Sequence, residues 1–306
     1  MNRWLTYFLV FFVMVLWGLN VVMLKLLVTS FPPVTMTALR IFVAGFVVLL
    51  VLLLLKTFRQ LTATEWKYVI LAAIFGVLGH HFFLSIGLTM TSASNAVLIL
   101  ALLPLTTSLL AILLLGDMLT RWRGFGIFLG LTGVCTIVLF GEGGLAGIRT
   151  GDGVIFLAMM IQALSFVYIK KATDTLDAKQ VTGMMLLIGS LLLFVTSLII
   201  EPNGLASMGD KALWIWWVFA ISAVFATGLG HIIYNQAIHQ LGTGETAIFN
   251  NLVPFFGLLF SALFLGEVIA LAQIAGLLFI VAGVILGTGH VDAWIQKRKR
   301  RFDQVG

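Results

Sequence analysis

The sequence predicts an all-α membrane protein, with ten transmembrane helices as two inverted five-helix repeats, and three observations carry that prediction. Of the 306 residues, 61% are hydrophobic and 10% charged, at a mean hydropathy of +1.13; water-soluble domains carry about 25% charged residues. Apolar runs of roughly 18–24 residues recur along the chain, the length a helix needs to cross a ~30 Å hydrocarbon core. Strands of a membrane barrel would alternate polar and apolar and be about half as long. Finally, a segment that begins at Pro104 returns in closely similar letters at Pro254, half a chain later.

The spans are taken in order. The first, residues 4–27, comes after a lone Arg3 and shows no small-residue cleavage pattern, so it reads as a retained helix and not a cleaved leader. The second, 34–55, starts after Pro32-Pro33, and the third, 67–88, comes after the charged stretch from Lys56 to Lys67. The fourth, 93–114, carries Asn95 near its start, where an asparagine reads as a helix cap. The fifth, 123–141, comes after Arg121 and Arg123; the sixth, 153–171, opens after the glycines between Gly141 and Gly153. The seventh, 181–201, comes after Lys170 to Lys179, and the eighth, 213–236, after Pro202-Asn203-Gly204. The ninth, 245–265, starts beyond Gly242 to Gly244 with Glu245 placed to meet the helix dipole, and the tenth, 268–288, comes after Gly266. Short connections make sequential helices antiparallel neighbours. The organisation is then a first repeat at 1–145, a second at 150–290 and a basic cytoplasmic tail at 291–306, with no extramembrane domain.

Lysine and arginine set the orientation. With the N-terminus inside, fourteen of the eighteen fall on inner segments and two, Arg149 and Lys211, on outer loops. Lys25 and Arg40 lie near the outer ends of the first two spans. This asymmetry predicts a multi-pass protein of the cell's inner or plasma membrane with both termini cytoplasmic. The tail "KRKRR" reads as a topology anchor on anionic headgroups and not as a nucleic-acid patch. Trp4, Trp66, Trp122, Trp214 and Trp294 sit near span ends, as interface anchors do. The single cysteine, Cys135, lies inside an apolar run and makes no internal disulfide. No cofactor and no metal site are expected.

The repeat has a mechanical meaning. "PLTTSLLAILLLGDMLT" from Pro104 matches "PFFGLLFSALFLGEVIA" from Pro254 at an offset of 150. At the same offset His81 meets His231, Asp117 meets Glu267, Gly126 meets Gly276 and Gly133 meets Gly283. Five spans per half is an odd number, so the second copy enters the membrane upside down. The hairpin then faces the cytoplasm at Gly116-Asp117 and the outside at Gly266-Glu267. Arg121 and Arg123 flank only the inner copy. Two related halves, one inverted, give two near-equivalent conformations around a midplane site. That predicts a transporter working by alternating access.

Several motifs resemble a known family. They are "WGLN" (Trp17 to Asn20) with Lys25, "ALRIFVAG" (Ala38 to Gly45), "TSASNAVLILALLPL" (Thr91 to Leu105) with "LLLGDMLT" ending at Thr120, and "FNNLVPFFGLLFSALFLGE" (Phe249 to Glu267). In these the chain is similar to the EamA-type, ten-helix members of the drug/metabolite transporter superfamily, over nearly its whole length. The resemblance implies two five-helix halves, a central cavity lined mainly by helices 1, 3, 4, 6, 8 and 9, and movement of small metabolites, often outward. Helix 6 departs most from its counterpart.

All twelve acids fall in loops, in the tail or at span ends, so no mid-membrane carboxylate is present to carry protons or bind cationic drugs. His81 with Ser85, and His231 with Asn235, form two i, i+4 stripes at equivalent positions. They are candidate substrate-binding residues, with interhelical hydrogen bonding as the competing role. His80 points elsewhere, about 100° round the helix. Asn250 and Asn251 offer amides, and Trp17, Asn20, Tyr234 and Gln162 complete the substrate-binding set. For Lys25 and Arg40 two readings stand: attraction of an anion, or snorkelling to the outer headgroups. Pro104 and Pro254 are the predicted hinges. Gly126-xxx-Gly130 and Gly283-xxx-Gly287 allow close helix packing, within the bundle or between protomers. No HExxH, no paired intramembrane aspartates and no Gly-x-Ser-x-Gly point to an enzyme. The expected function is a secondary transporter, acting as an exporter, of small polar or amphipathic metabolites such as amino acids. It would work in the lipid bilayer as a monomer or homodimer, with a lipid flippase or a non-transporting assembly protein as the alternative.

Overall fold

The computed structural model describes residues 3–116, 118–140, 149–241, 246, 249–289 and 291–292. Among them every regular element is helical. The helices are α1 Arg3–Ser30, α2 Pro33–Leu54, α3 Ala63–Met90, α4 Ala93–Leu100 continued by Leu103–Leu115, α5 Arg121–Phe140, α6 Thr150–Thr173 and α7 Ala178–Ile200. Next come α8 (Leu213–Ala220, Ile221–Leu229 and Gly230–Leu241 in one run), α9 Leu252–Leu265 and α10 Leu271–Gly287. Eight of them are long and apolar enough to cross a membrane; α9 and α10 are shorter and as apolar. Asp117, Glu245, Trp294 and the basic tail lie outside the described residues.

Local chemistry explains the ends. Thr62 and Glu65 form a capping box at the start of α3. Gly116 and Gly266 close α4 and α9 in the left-handed conformation, φ 75° and 66°, which glycine adopts at low cost. Carboxylates from distant loops cap two further helices. Glu201 accepts from Val34 N, Thr35 N and the Thr35 hydroxyl at the start of α2. Glu267 accepts from Ala93 N and Ser94 N at the start of α4. Ser92 is the N-cap of α4, bonding Asn95 N. The amide of Asn95, expected to cap, instead reaches Asp152 and Gln273.

The helices depart from regular winding in two ways. α3 and α8 each contain a wide, π-helical stretch, Ile74–Gly79 and Ile221–Leu229. Such turns cluster at functional sites. α4 breaks at Ala101-Leu102, just before Pro104, and the chain turns at Asn250-Asn251, just before Pro254. Proline cannot donate to the preceding turn, so each helix restarts there.

α1 packs on α8 and α9, and α6 packs on α3 and α4. α2 lies against α7 and α8, α7 against α2 and α3, α4 against α9, and α5 against α10. Exchanging each helix with the one five places away maps these pairings onto themselves. The α5–α10 contact is glycine on glycine: an added Cβ at Gly126 would lie 2.2 Å from Gly287 N, and one at Gly133 2.7 Å from Gly276 O. The small-residue motifs therefore serve the interior of the bundle. Cys135 is exposed on the same helix. Trp4, Trp66, Trp122 and Trp214 are exposed at helix ends.

Candidate functional site

Where α1, α2, α3 and α8 converge, the bundle turns polar. Arg40 is the eighth residue of α2, about 10 Å along it at 1.5 Å per residue, and is 1% exposed. It does not snorkel. Its Nη1 donates to Thr227 Oγ1 at 2.8 Å and Ser222 Oγ at 3.4 Å, both on the π-helical stretch of α8. Ser222 in turn donates to Asn20 Oδ1 at 2.6 Å. Thr227 donates its hydroxyl to Ser222 O at 2.9 Å, satisfying a carbonyl within the wide turn.

Trp17 forms the adjoining wall. Its indole donates to Ala226 O at 2.8 Å, and its ring lies 5.2 Å from His231 and 5.1 Å from Tyr234. A Cβ at Gly230 would come within 2.9 Å of the Trp17 nitrogen, so the absence of a side chain there lets the indole lie close. His231 Nδ1 contacts Thr227 O at 2.6 Å. Asn250 donates to the Tyr234 hydroxyl at 2.8 Å, leaving Asn250 Oδ1 buried without a partner. Asn251 is half-buried at the start of α9.

On α3 both histidines come directly after the wide turn. His80 bonds Ala158 O of α6 at 2.9 Å, and its ring touches that of His81 at 4.7 Å. His81 Nδ1 is buried without a partner, as is Gln162 Oε1 on α6. Ser85 donates to Phe82 O and shares a narrow space with Thr37, Arg40 and His81. That space has no room for a water-sized occupant. Asn235 is half-buried and makes no hydrogen bond with a described residue.

The sequence-derived residues thus divide. His81 and Ser85 share a space with Arg40 and Asn20 joins it through Ser222, while His231, Trp17, Tyr234 and Asn250 form the adjoining chain of contacts. Gln162 lies on α6. Lys25 belongs elsewhere: its ammonium donates to Leu88 O and Thr91 O at 2.6 and 2.7 Å, closing the C-terminus of α3. Thr37, Ser222 and Thr227 were not anticipated, since a hydroxyl within an apolar run gives no signal until its neighbours are known.

A model of the EamA-like transporter family matches residues 4–139 and 149–288. The chain belongs to the EamA-like transporter family. This EamA-like chain is 29% identical to the uncharacterized transporter YyaM of Bacillus subtilis, over 87% of its own length and 88% of that protein. It is 26% identical to the uncharacterized transporter YvbV of the same organism, over 92% and 90%. A WAT1-related chloroplastic protein of Arabidopsis thaliana is 25% identical over 85% of this chain and 64% of its own. A protein of known crystal structure, 20% identical, aligns at TM-score 0.64 over 94% of this chain and 97% of that one, which shows a shared fold. As an EamA-like transporter the chain is a multi-pass membrane protein with a small-molecule substrate, and the two Bacillus relatives are named as transporters.

Proposed function

We propose that this EamA-like protein is a secondary transporter that exports small polar or amphipathic metabolites, amino acids among them, by alternating access between inverted repeats at 1–145 and 150–290. The observation that carries the reading is the helix pairing, which maps onto itself when each helix is exchanged with the one five places away. Breaks before Pro104 and Pro254, and wide turns in α3 and α8, fall at matching places in the two halves. Paired weak points of this kind let one half rock against the other. The protein would sit in the cell's inner or plasma membrane as a monomer or homodimer, and the charge asymmetry supports cytoplasmic termini.

In the described conformation both ends of the central region are tied. At the end holding the start of α1, Thr6 donates to Gln240 of α8 at 2.5 Å. At the opposite end, Gln273 of α10 donates to Asn95 at 2.7 Å, and Asn95 and Thr91 bond Asp152 of α6. Opening either end alone gives the two accessible states. His81, His231, Asn235, Asn250, Asn251, Ser85, Trp17, Asn20, Tyr234 and Gln162 form the candidate substrate-binding set, with Pro104 and Pro254 as hinges.

The test is efflux. Purified protein in vesicles loaded with a mixed pool of amino acids and metabolites is followed by mass spectrometry, with and without a proton gradient. Selective loss of a few solutes is expected. Release no faster than from protein-free vesicles, with the protein folded, would sink the reading.

A further inference from the structure

Arg40 is a buried cation within a membrane span. Arg40 is enclosed, and among the described residues no carboxylate lies within ion-pair distance of it. The position 150 residues on is Ser190, so the second half brings no matching cation. Among the buried polar atoms without a hydrogen-bond partner are Thr37 Oγ1, Arg40 Nε and His81 Nδ1. All three residues line one space, whose remaining walls include Leu24, Leu84 and Leu88. Buried polar groups are satisfied in most structures, and an unpaired cation within a membrane span is costly and kept for a function. The three side chains that carry these atoms would be completed by a ligand that accepts hydrogen bonds and carries negative charge.

From this we infer that Thr37, Arg40 and His81 form the receptor for a carboxylate on the transported molecule, and that Leu24, Leu84 and Leu88 receive its apolar part. The inference rests on the transporter reading for its link to transport. Thr227 and Ser222 hold Nη1 and so fix the plane of the guanidinium, leaving the Nε edge for the carboxylate. One cation balances a monoanion. A phosphate dianion would leave excess negative charge buried, and an organic cation would be repelled. The space is closed in this conformation, so the ligand enters as α1, α2 and α3 part. The wide turns, one just before His81 and one containing Thr227, are where the helices can shift register.

The experiment uses the full chain and the Arg40→Met variant, which keeps length and removes charge. Detergent-purified proteins are warmed with three pools: apolar amino acids, the matching deaminated acids, and the matching decarboxylated amines, with inorganic phosphate as a fourth probe. The two carboxylate pools are expected to raise the wild-type melting temperature, the amines and phosphate not. Arg40→Met is expected to lose that response, to melt higher than the wild type without ligand because an unpaired buried charge is gone, and to export amino acids about tenfold more slowly or worse. An equal response to amines or to phosphate would overturn the assignment. So would a variant that responds like the wild type, one whose efflux is unchanged, or a ligand-free variant that melts lower, which would make Arg40 structural. Absence of wild-type efflux alongside Arg40-dependent stabilisation would sink the transporter reading and leave the carboxylate site standing. No stabilisation by any pool would overturn the site itself.

Discussion

Adding one methyl group at Gly126 tests the packing of α5 on α10 against a control on the same helix. An alanine Cβ there would lie 2.2 Å from Gly287 N, 2.5 Å from Gly287 Cα and 2.6 Å from Gly283 O. All three are backbone atoms, so no side chain can swing aside, and the helices must separate by about 1 Å to restore ordinary contact. Overpacking a fitted interior costs about 1–3 kcal/mol, more where backbone must move. At Gly124 the nearest atom is Leu119 Cδ1, 4.0 Å away, at the end of a flexible side chain. Alanine there meets open space and is favoured by roughly 0.4–1 kcal/mol through helix propensity and a less flexible unfolded chain. The two substitutions therefore move stability in opposite directions. Scaled as for soluble domains, 1–3 kcal/mol corresponds to roughly 2–12 °C. The assay heats each detergent-purified variant and monitors the loss of its monodisperse size-exclusion peak. Gly126→Ala is expected to lose its peak several degrees below the wild type, and Gly124→Ala at or slightly above it. Equal melting of the two would refute the glycine-on-glycine contact. A change in oligomeric mass without a change in melting would move the glycine face to an interface between protomers.

Other substitutions probe the site, the caps and the hinges. His81→Ala and His231→Ala, each folded, are expected to abolish efflux in the vesicle assay; if both export at the wild-type rate, the histidines only support the bundle. Tyr234→Phe strips the Asn250 amide of its acceptor, which costs about 1–3 kcal/mol and should appear as a lower melting temperature, whereas Tyr68→Phe, at a half-buried position on α3, serves as the control. Glu267→Ala uncovers two amides at the start of α4, a loss of about 0.5–2 kcal/mol by analogy with helix caps, measured by the same melting assay. Pro104→Ala and Pro254→Ala should lower efflux while raising or preserving thermal stability, since each lets a broken helix run on; unchanged rates would show that the breaks do not limit transport.

The sequence made the architecture legible because hydrocarbon imposes length. Span ends agree with the helices to within a few residues for α1, α2, α4, α5, α6, α7 and α10, since prolines, glycines and charges mark where apolar sequence stops. α3 begins earlier than expected, at Ala63, because the Thr62–Glu65 capping box carries the helix into charged sequence. The described helix of α9 starts at Leu252, later than expected, because the turn before Pro254 interrupts it. The wide turns at Ile74–Gly79 and Ile221–Leu229 left no signal at all: their residues are as apolar as any regular turn, and only tertiary contact selects the looser winding. The site was half legible for the same reason. His81, His231 and Trp17 stood out as rare types deep within apolar runs. Arg40 stood out as well, but depth along a helix does not tell whether a long side chain points to the headgroups or inward. What decides it is the partner. Ser222 and Thr227, on a helix some 180 residues further on, draw Nη1 toward α8, and among the described residues no neighbouring acid neutralises the charge. The absence of intramembrane carboxylates, read from the sequence as a limit on proton coupling, thus acquires a second consequence in the fold: the enclosed arginine has no described acid of its own to pair with.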